Sequence, residues 1–310
     1  MTGILIKLYF FIKVATVSCA PDVAEGFERA RRYYKVDGVS RIDERIDESS
    51  GLIYLSDSTL LSQNDSGGEP TVYRINLQGE VIDSIRLDIP NYDWESLAYD
   101  YESETLYIAD TGNNRNNRKK LGVYAYHVPS KKLTHHPLRY ADQEEFPPPE
   151  EKRDFDCEAI VFRKGEIVMF SKNRGESDAT KQYVLPMTHA GEEVALEPLY
   201  EQYLHKQQVT GASISPSGNR LALLTYGRIY LFKLEKGQKN LLAAPWRVIK
   251  CNRMGQSEGV CFLSEETLLF SNENRKLFKV YLNRRGRKQL AKEQAKASQN
   301  LKDPVSPPAP

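Results

Sequence analysis

Three features of this sequence predict an all-β fold, a β-propeller of four-stranded antiparallel blades. A weak repeat recurs five times between residues 48 and 281. Its period is about 40 to 50 residues, room for several strands and typical of a propeller blade. Its short apolar runs are rich in β-branched residues and in Tyr, of which the chain has 18, a composition that suits pleated, half-buried strands.

Each copy opens on an acidic and a small residue followed by an apolar strand. A second apolar strand with a polar end follows, then a third rich in Tyr and Val. The first copy covers 48–54, 60–65 and 72–75 and starts Glu48-Ser49-Ser50-Gly51. The second starts Trp94-Glu95-Ser96-Leu97 and continues through 106–110 and 123–126. The third starts Asp156-Cys157-Glu158-Ala159, with 167–173 and 182–185. The fourth, at 210–214, 221–225 and 229–232, has Thr210-Gly211 in place of the acid. The fifth starts Ser257-Glu258-Gly259-Val260, with 268–272 and 277–281. Fourth strands are expected at 81–87, 133–140, 194–203 and 246–250. The fifth copy lacks one, because a charged stretch begins too soon after it. A strand at 33–42 fills that place, and pairing the first and last strands in one blade closes the ring and removes open sheet edges. The count is five blades, with six as the alternative if two have been merged. Residues 142–153, rich in Pro and Glu, read as a surface insertion. An open sandwich would not explain the recurring Glu-small-apolar start.

The two ends read differently. Residues 1–19 hold apolar runs interrupted by Lys7 and Lys13, a poor transmembrane helix but a serviceable export signal. The signal ends Ser18-Cys19-Ala20, the small-residue-then-Cys form of a bacterial lipoprotein cleavage box, with Thr16 where Leu is usual. Cys19 is then the lipidated residue, and the chain is exported and held at the cell envelope, touching the membrane only through its anchor. A plain secretory signal and a buried N-terminal segment are the alternatives. Residues 20–32 are expected to be a linker, 33–283 the propeller, and 284–310 a basic tail, its first stretch compatible with a helix and its Pro-rich end disordered. Cys157, Cys251 and Cys261 are odd in number and imply buried thiols rather than a disulfide framework. Forty-three basic against 42 acidic side chains leave a net charge of +1, no field to recruit nucleic acid or an anionic membrane.

Glu48-Ser49-Ser50-Gly51-Leu52, Gln63-Asn64-Asp65-Ser66-Gly67, Trp94-Glu95-Ser96-Leu97-Ala98 and Tyr107-Ile108-Ala109-Asp110-Thr111-Gly112-Asn113-Asn114 are motifs through which the chain resembles a family of uncharacterised bacterial propeller proteins. That family is similar to the SdiA-regulated and the esterase-like or phytase-like propellers. The run Val209-Thr210-Gly211-Ala212-Ser213 fits the same pattern, so the resemblance spans residues 48–281. It implies the propeller fold and, through its labels, hydrolysis of esters or phosphoesters, although a fold does not dictate chemistry.

The first and second strands of a blade are antiparallel, so the start of one and the end of the other share one face of the ring. Glu48, Glu95, Glu158 and Glu258 are therefore expected at one mouth of the central channel. Beside them come Asn64, Asp65, Asp110, Asn113, Lys172, Asn173, Arg174 and Asn272, candidate ligand-binding residues, and Glu273. Converging carboxylates repel one another unless a cation, a basic side chain or a raised pKa relieves them. A hard cation such as Ca²⁺, taking six to eight oxygens, would do so, which makes the four glutamates candidate metal ligands. Arg115, Lys172 and Arg174 offer positive charge to those glutamates or to an anionic ligand; solvated loop charges are the plainer alternative. Repeated acidic residues also lock rings by accepting backbone N–H bonds, and that reading stays open.

Other catalytic signals are thin. The five histidines fall in outer strands or connections, and there is no Gly-x-Ser-x-Gly elbow, phosphate-binding Gly loop or Cys-x-x-Cys pair. Three functions fit: binding of a small polar or anionic ligand, through Ca²⁺; metal-assisted hydrolysis with Glu95 and Glu158 as catalytic carboxylates; or a scaffold for a protein partner.

Overall fold

The computed structural model describes residues 21–251 and 254–300. The repeats are preceded by a short helix α1 (Pro21–Ala24), β1 (Glu28–Arg29), a 3-10 turn (Arg31–Tyr33) and β2 (Tyr34–Arg41). Blade one is β3 (Ser49–Leu55), β4 (Thr59–Asn64), β5 (Thr71–Asn76) and β6 (Val81–Arg86). Blade two is β7 (Trp94–Asp100), β8 (Thr105–Asp110), β9 (Leu121–His127) and β10 (Lys132–Tyr140). Blade three has β11 (Asp156–Arg163), β12 (Glu166–Lys172) and β13 (Ala179–Pro186) and, after β14 (Val194–Leu196), β15 (Tyr200–Tyr203). Blade four is β16 (Val209–Ile214), β17 (Arg220–Thr225), β18 (Arg228–Lys233) and β19 (Pro245–Lys250). Blade five has β20 (Ser257–Ser264), β21 (Thr267–Asn272) and β22 (Lys276–Leu282), and helix α2 (Arg284–Asn300) follows. The result is a propeller of five antiparallel four-stranded blades. Its ring closes as expected, because β2 pairs antiparallel with β22, Tyr34 opposite Leu282.

Apolar faces of neighbouring blades meet in five clusters that together form the core. Trp94 packs with Leu61, Val72 and Leu106 between blades one and two, and Leu52, Leu60, Cys261 and Leu269 join blade one to blade five. Each such side chain contributes about 1.5–3 kcal/mol by leaving water. Cys157, Cys251 and Cys261 are buried free thiols.

Three expectations are corrected. The fourth strand at 194–203 is two strands: β14 pairs parallel with β10 of blade two, Leu138 opposite Val194, and only β15 completes blade three. Pro198 lies between them, and without an N–H it cannot continue a ladder. The expected linker at 20–32 is packed structure from Pro21 onward. There β1 pairs parallel with β19, and buried Phe27 meets the rings of Tyr230 and Phe232 edge-on. The basic stretch compatible with a helix is α2, packed against the propeller rather than free as a tail. Its Leu290 is buried, and its Glu293 lies 2.7 Å from Arg247, which is itself fully buried and needs a carboxylate partner. Cys19 with the rest of the export signal, and residues 301–310, lie outside the described residues.

Each blade's first strand opens on a β-bulge. The register slips between Ser49 and Gly51, Trp94 and Ser96, Cys157 and Ala159, Val209 and Gly211, and Ser257 and Val260. A bulge adds one unpaired residue and re-aims its side chain. The residues so placed are Ser50, Glu95, Glu158, Thr210 and Glu258. The small residue that follows has a packing cause: a Cβ on Gly259 would meet Leu52 Cβ at 2.9 Å, across the blade five to blade one seam.

Candidate functional site

The bulge register gives each blade two mouth positions, one at the bulge and one two residues earlier. Across the five blades these pairs are Glu48 and Ser50, Asp93 and Glu95, Asp156 and Glu158, Gln208 and Thr210, and Gln256 and Glu258. Acid is therefore concentrated on blades two and three, where the sequence twice reads Asp-x-Glu. Asp65, just past the end of β4, joins from blade one. One oxygen each from Asp65, Asp93 and Glu95 lies within 4.8 Å of the others, and Glu95, Asp156 and Glu158 form a second such group.

The two groups differ in how their charge is met. In the second, Lys172 Nζ donates to both Glu158 oxygens at 2.6 Å and to the Tyr226 hydroxyl at 2.7 Å. Arg174 donates to Asp156 at 2.5 Å and to Glu158 at 3.1 Å, while the Asn113 amide donates to the other Asp156 oxygen at 2.7 Å. Burial alone would lower the Lys172 pKa, but Glu158 outweighs it and holds the ammonium charged. Burial, with Asp156 adding to it, opposes the ionisation of Glu158, while Lys172 and Arg174 within hydrogen-bonding distance pull the other way.

In the first group no Arg or Lys pairs with Asp65, Asp93 or Glu95 among the described residues. Burial first, then Asp65, pushes Asp93 up to about 7. Burial, then Glu158 and Asp65, raises Glu95, only 4% exposed, well above the usual carboxylate range. Asp65 is raised too, chiefly by burial. Gly112 lets these carboxylates converge, because a Cβ there would run into both Asp93 and Glu95.

Other predicted residues have different places. Glu48 sits on the exposed rim at the position equivalent to Asp93, not Glu95, because Leu52 matches Leu97 and Ser50 takes the bulge position in blade one. Glu258 is buried at the mouth beside Glu158 and Lys172, and burial followed by Glu158 pushes it up to about 9. It belongs to neither close group. Asn64, Asn113 and Asn272, expected to bind ligand, instead tie down backbone: their amides donate to Arg45 O, Phe155 O and Met254 O. Asn173 is likewise taken up locally, donating to Ser177 and accepting from the Gly175 amide. Asp110 pairs with Arg118 at 2.8 Å, and Arg115 is exposed, so Arg118 rather than Arg115 brings its charge inward. Lys172 donates to Glu158 and Tyr226, and Arg174 to Asp156, Glu158 and Asn114, which disfavours them as receivers of an anionic ligand. Sequence reasoning missed Asp93, Asp156, Arg118 and Tyr226; the doubled Asp-x-Glu was the available signal for the first two.

No family model matches the chain, and no curated protein matches it. Similar solved structures include the β-propeller domain of Myceliophteria thermophila Cps50 (Swd1), at 11% identity and a TM-score of 0.44, over 80% of this chain and 100% of that one. Kuenenia stuttgartiensis hydrazine synthase matches at 13% identity and a TM-score of 0.46, over 76% of this chain and 72% of that one. The chain is a β-propeller. Likenesses this distant bring no activity or partner with them.

Proposed function

We propose that the acidic mouth binds one hard divalent cation, Ca²⁺ fitting best, and through it a small polar ligand. The protein doing so is an envelope-anchored propeller of the SdiA-regulated, phytase-like kind, a family reading supported by the motifs around Asn64-Asp65-Ser66-Gly67 and Trp94-Glu95, and an anchoring supported by the box at Cys19. The observation that carries the site is that Asp65, Asp93 and Glu95 have no Lys or Arg partner among the described residues, beside Asp156 and Glu158, which Lys172 and Arg174 meet. Three carboxylates and a few ligand or water oxygens make the all-oxygen shell that Ca²⁺ prefers. With Lys172 and Arg174 occupied, the ligand is recognised mainly by the cation.

The pKa shifts fix the expected pH dependence. Asp93 and Glu258 are raised in the folded state to about 7 and about 9, from 3.8 and 4.5. Without a cation, the stability they contribute is fully present below the lower values and is lost as pH rises through the upper ones. Chelator-treated protein should therefore melt higher at pH 5.5 than at pH 8.5, by on the order of 5 °C. Added Ca²⁺ favours the ionised carboxylates, so its stabilisation should be small at pH 5.5 and largest at pH 8.5. Melting curves at both pH values, with chelator and with Ca²⁺, test this. A Ca²⁺ effect that is absent, or that shrinks as pH rises, contradicts the site.

Hydrolysis of esters or phosphoesters is the second reading, favoured by carboxylates that would hold a cation where it polarises a scissile group. Asp93 and Glu95 then replace the expected pair Glu95 and Glu158, since Glu158 is held by Lys172. Turnover of p-nitrophenyl acetate or phosphate that needs Ca²⁺ and vanishes in Asp93→Asn would separate the enzyme from the binder.

A further inference from the structure

We infer that the outer face of α2 is a docking surface for an anionic lipid bilayer. The helix carries Arg284, Arg285, Arg287, Lys288, Lys292 and Lys296, all exposed, and a single acidic residue, Glu293. Glu293 is spent on buried Arg247, whose guanidinium also lies over the ring of Trp246 at 4.2 Å. Gly286 and Leu290 are buried on the same side. Away from that side Arg284, Lys288, Lys292 and Lys296 follow one another at four-residue spacing, a slowly turning row of exposed like charge that starts opposite Gly286 and Leu290 and ends on the flank of the helix.

Such a row is unfavourable in isolation. Like charges four apart on a helix repel, and Arg284 and Arg285 stand in the first turn, where the helix dipole disfavours cations. None of the six pairs with an acidic side chain among the described residues. An external anionic surface offsets both costs. The net charge of +1 for the whole chain conceals this local asymmetry.

A bilayer is favoured over a nucleic acid by what lies beside the helix. The Arg31–Tyr33 turn packs against α2, where Asn283 donates to Tyr33 O from its backbone and to Arg32 O from its side chain, both at 2.9 Å. That turn is joined through β1 and α1 to the apolar run at residues 4–17 and to Cys19. An apolar or lipidated N-terminus and a basic patch on one edge of the ring are the two signals that stable membrane attachment takes. The inference goes beyond the mouth site; it rests on the anchor reading only for the choice of a bilayer.

The test is flotation of the full chain with vesicles of phosphatidylcholine alone and of phosphatidylcholine mixed with phosphatidylglycerol. Neutral vesicles read the N-terminal contribution, and the difference between the two reads the helix. Binding to the anionic vesicles should be tighter and should weaken with salt. Lys288→Gln/Lys292→Gln/Lys296→Gln should lose roughly tenfold or more of that difference at an unchanged melting temperature. The matching Lys→Arg triple variant should retain it. Equal binding to both vesicles, a Gln variant that binds like the parent, or an Arg variant that loses binding would overturn the proposal. Duplex DNA held as tightly as the anionic vesicles at the same salt would also overturn it. Failure of the anchor reading shows separately, as a Cys19 without acyl mass, and leaves the charge-dependent difference in place.

Discussion

Glu95→Gln is expected to raise the melting temperature of chelator-treated protein at pH 8 while abolishing its response to Ca²⁺. Glu95 is the one carboxylate shared by both acidic groups, and burial with neighbouring Glu158 and Asp65 opposes its ionisation. An amide keeps the shape and removes the repulsion, a gain of roughly 2 kcal/mol. At about 2–4 °C per kcal/mol for a domain of this size, the shift is easily read. Loss of a direct ligand should weaken Ca²⁺ by more than about 100-fold, beyond what outer-shell changes cost. A glutamate that merely locked the ring by accepting backbone N–H bonds would behave oppositely, because Gln would forfeit charge-assisted bonds and the protein would melt lower. Differential scanning calorimetry of parent and variant, with chelator and with Ca²⁺, separates the two roles by the sign of the shift.

The second large effect lies in the neutralised half of the mouth. Lys172→Met should destabilise the protein by about 3–5 kcal/mol, because it leaves a buried Glu158 carboxylate with one of its two cations gone. Both partners are only 4% exposed in their side chains, so solvent does little to screen the loss. The double variant Lys172→Met/Glu158→Gln should recover most of the stability, since an amide is far cheaper than an unpaired charge to bury. Urea titration of the three variants measures it. A single variant losing under about 1 kcal/mol, the value of an exposed pair, would show that Lys172 does not neutralise the site.

Much of the fold was legible because the determinants are local. Short continuous apolar runs such as Leu221-Ala222-Leu223-Leu224 make strands covered on both faces, and the spacing of the starts fixes the blades. Closure by residues 34–41 was legible because the last repeat lacked a strand. The misassigned 194–203 segment was not, because whether a three-residue strand such as Val194–Leu196 joins its own blade or its neighbour depends on tertiary pairing. The packing of 21–33 and of α2 was also hidden. It turns on Arg247, a surface-type residue buried between Trp246 and Tyr33 and answered by Glu28 and Glu293 from both ends of the chain.

At the site, the sequence located the mouth and Glu95, Glu158 and Lys172 within it. It placed Glu48 in the wrong register by matching acid to acid: with Leu52 set against Leu97, Glu48 falls at Asp93 and Ser50 at Glu95. It overlooked Asp93 for the same reason. It also could not show that asparagines at the second-strand ends spend their amides on backbone, because that depends on where the preceding loop passes.

Isothermal titration of Ca²⁺ into the chelator-stripped protein at pH 8 tests the proposed cation at Asp65, Asp93 and Glu95 most directly. The expected result is one ion per chain, bound by the parent and not by Glu95→Gln. No binding heat in the parent, or binding that survives Glu95→Gln unchanged, would contradict it and leave the acidic mouth as ring structure.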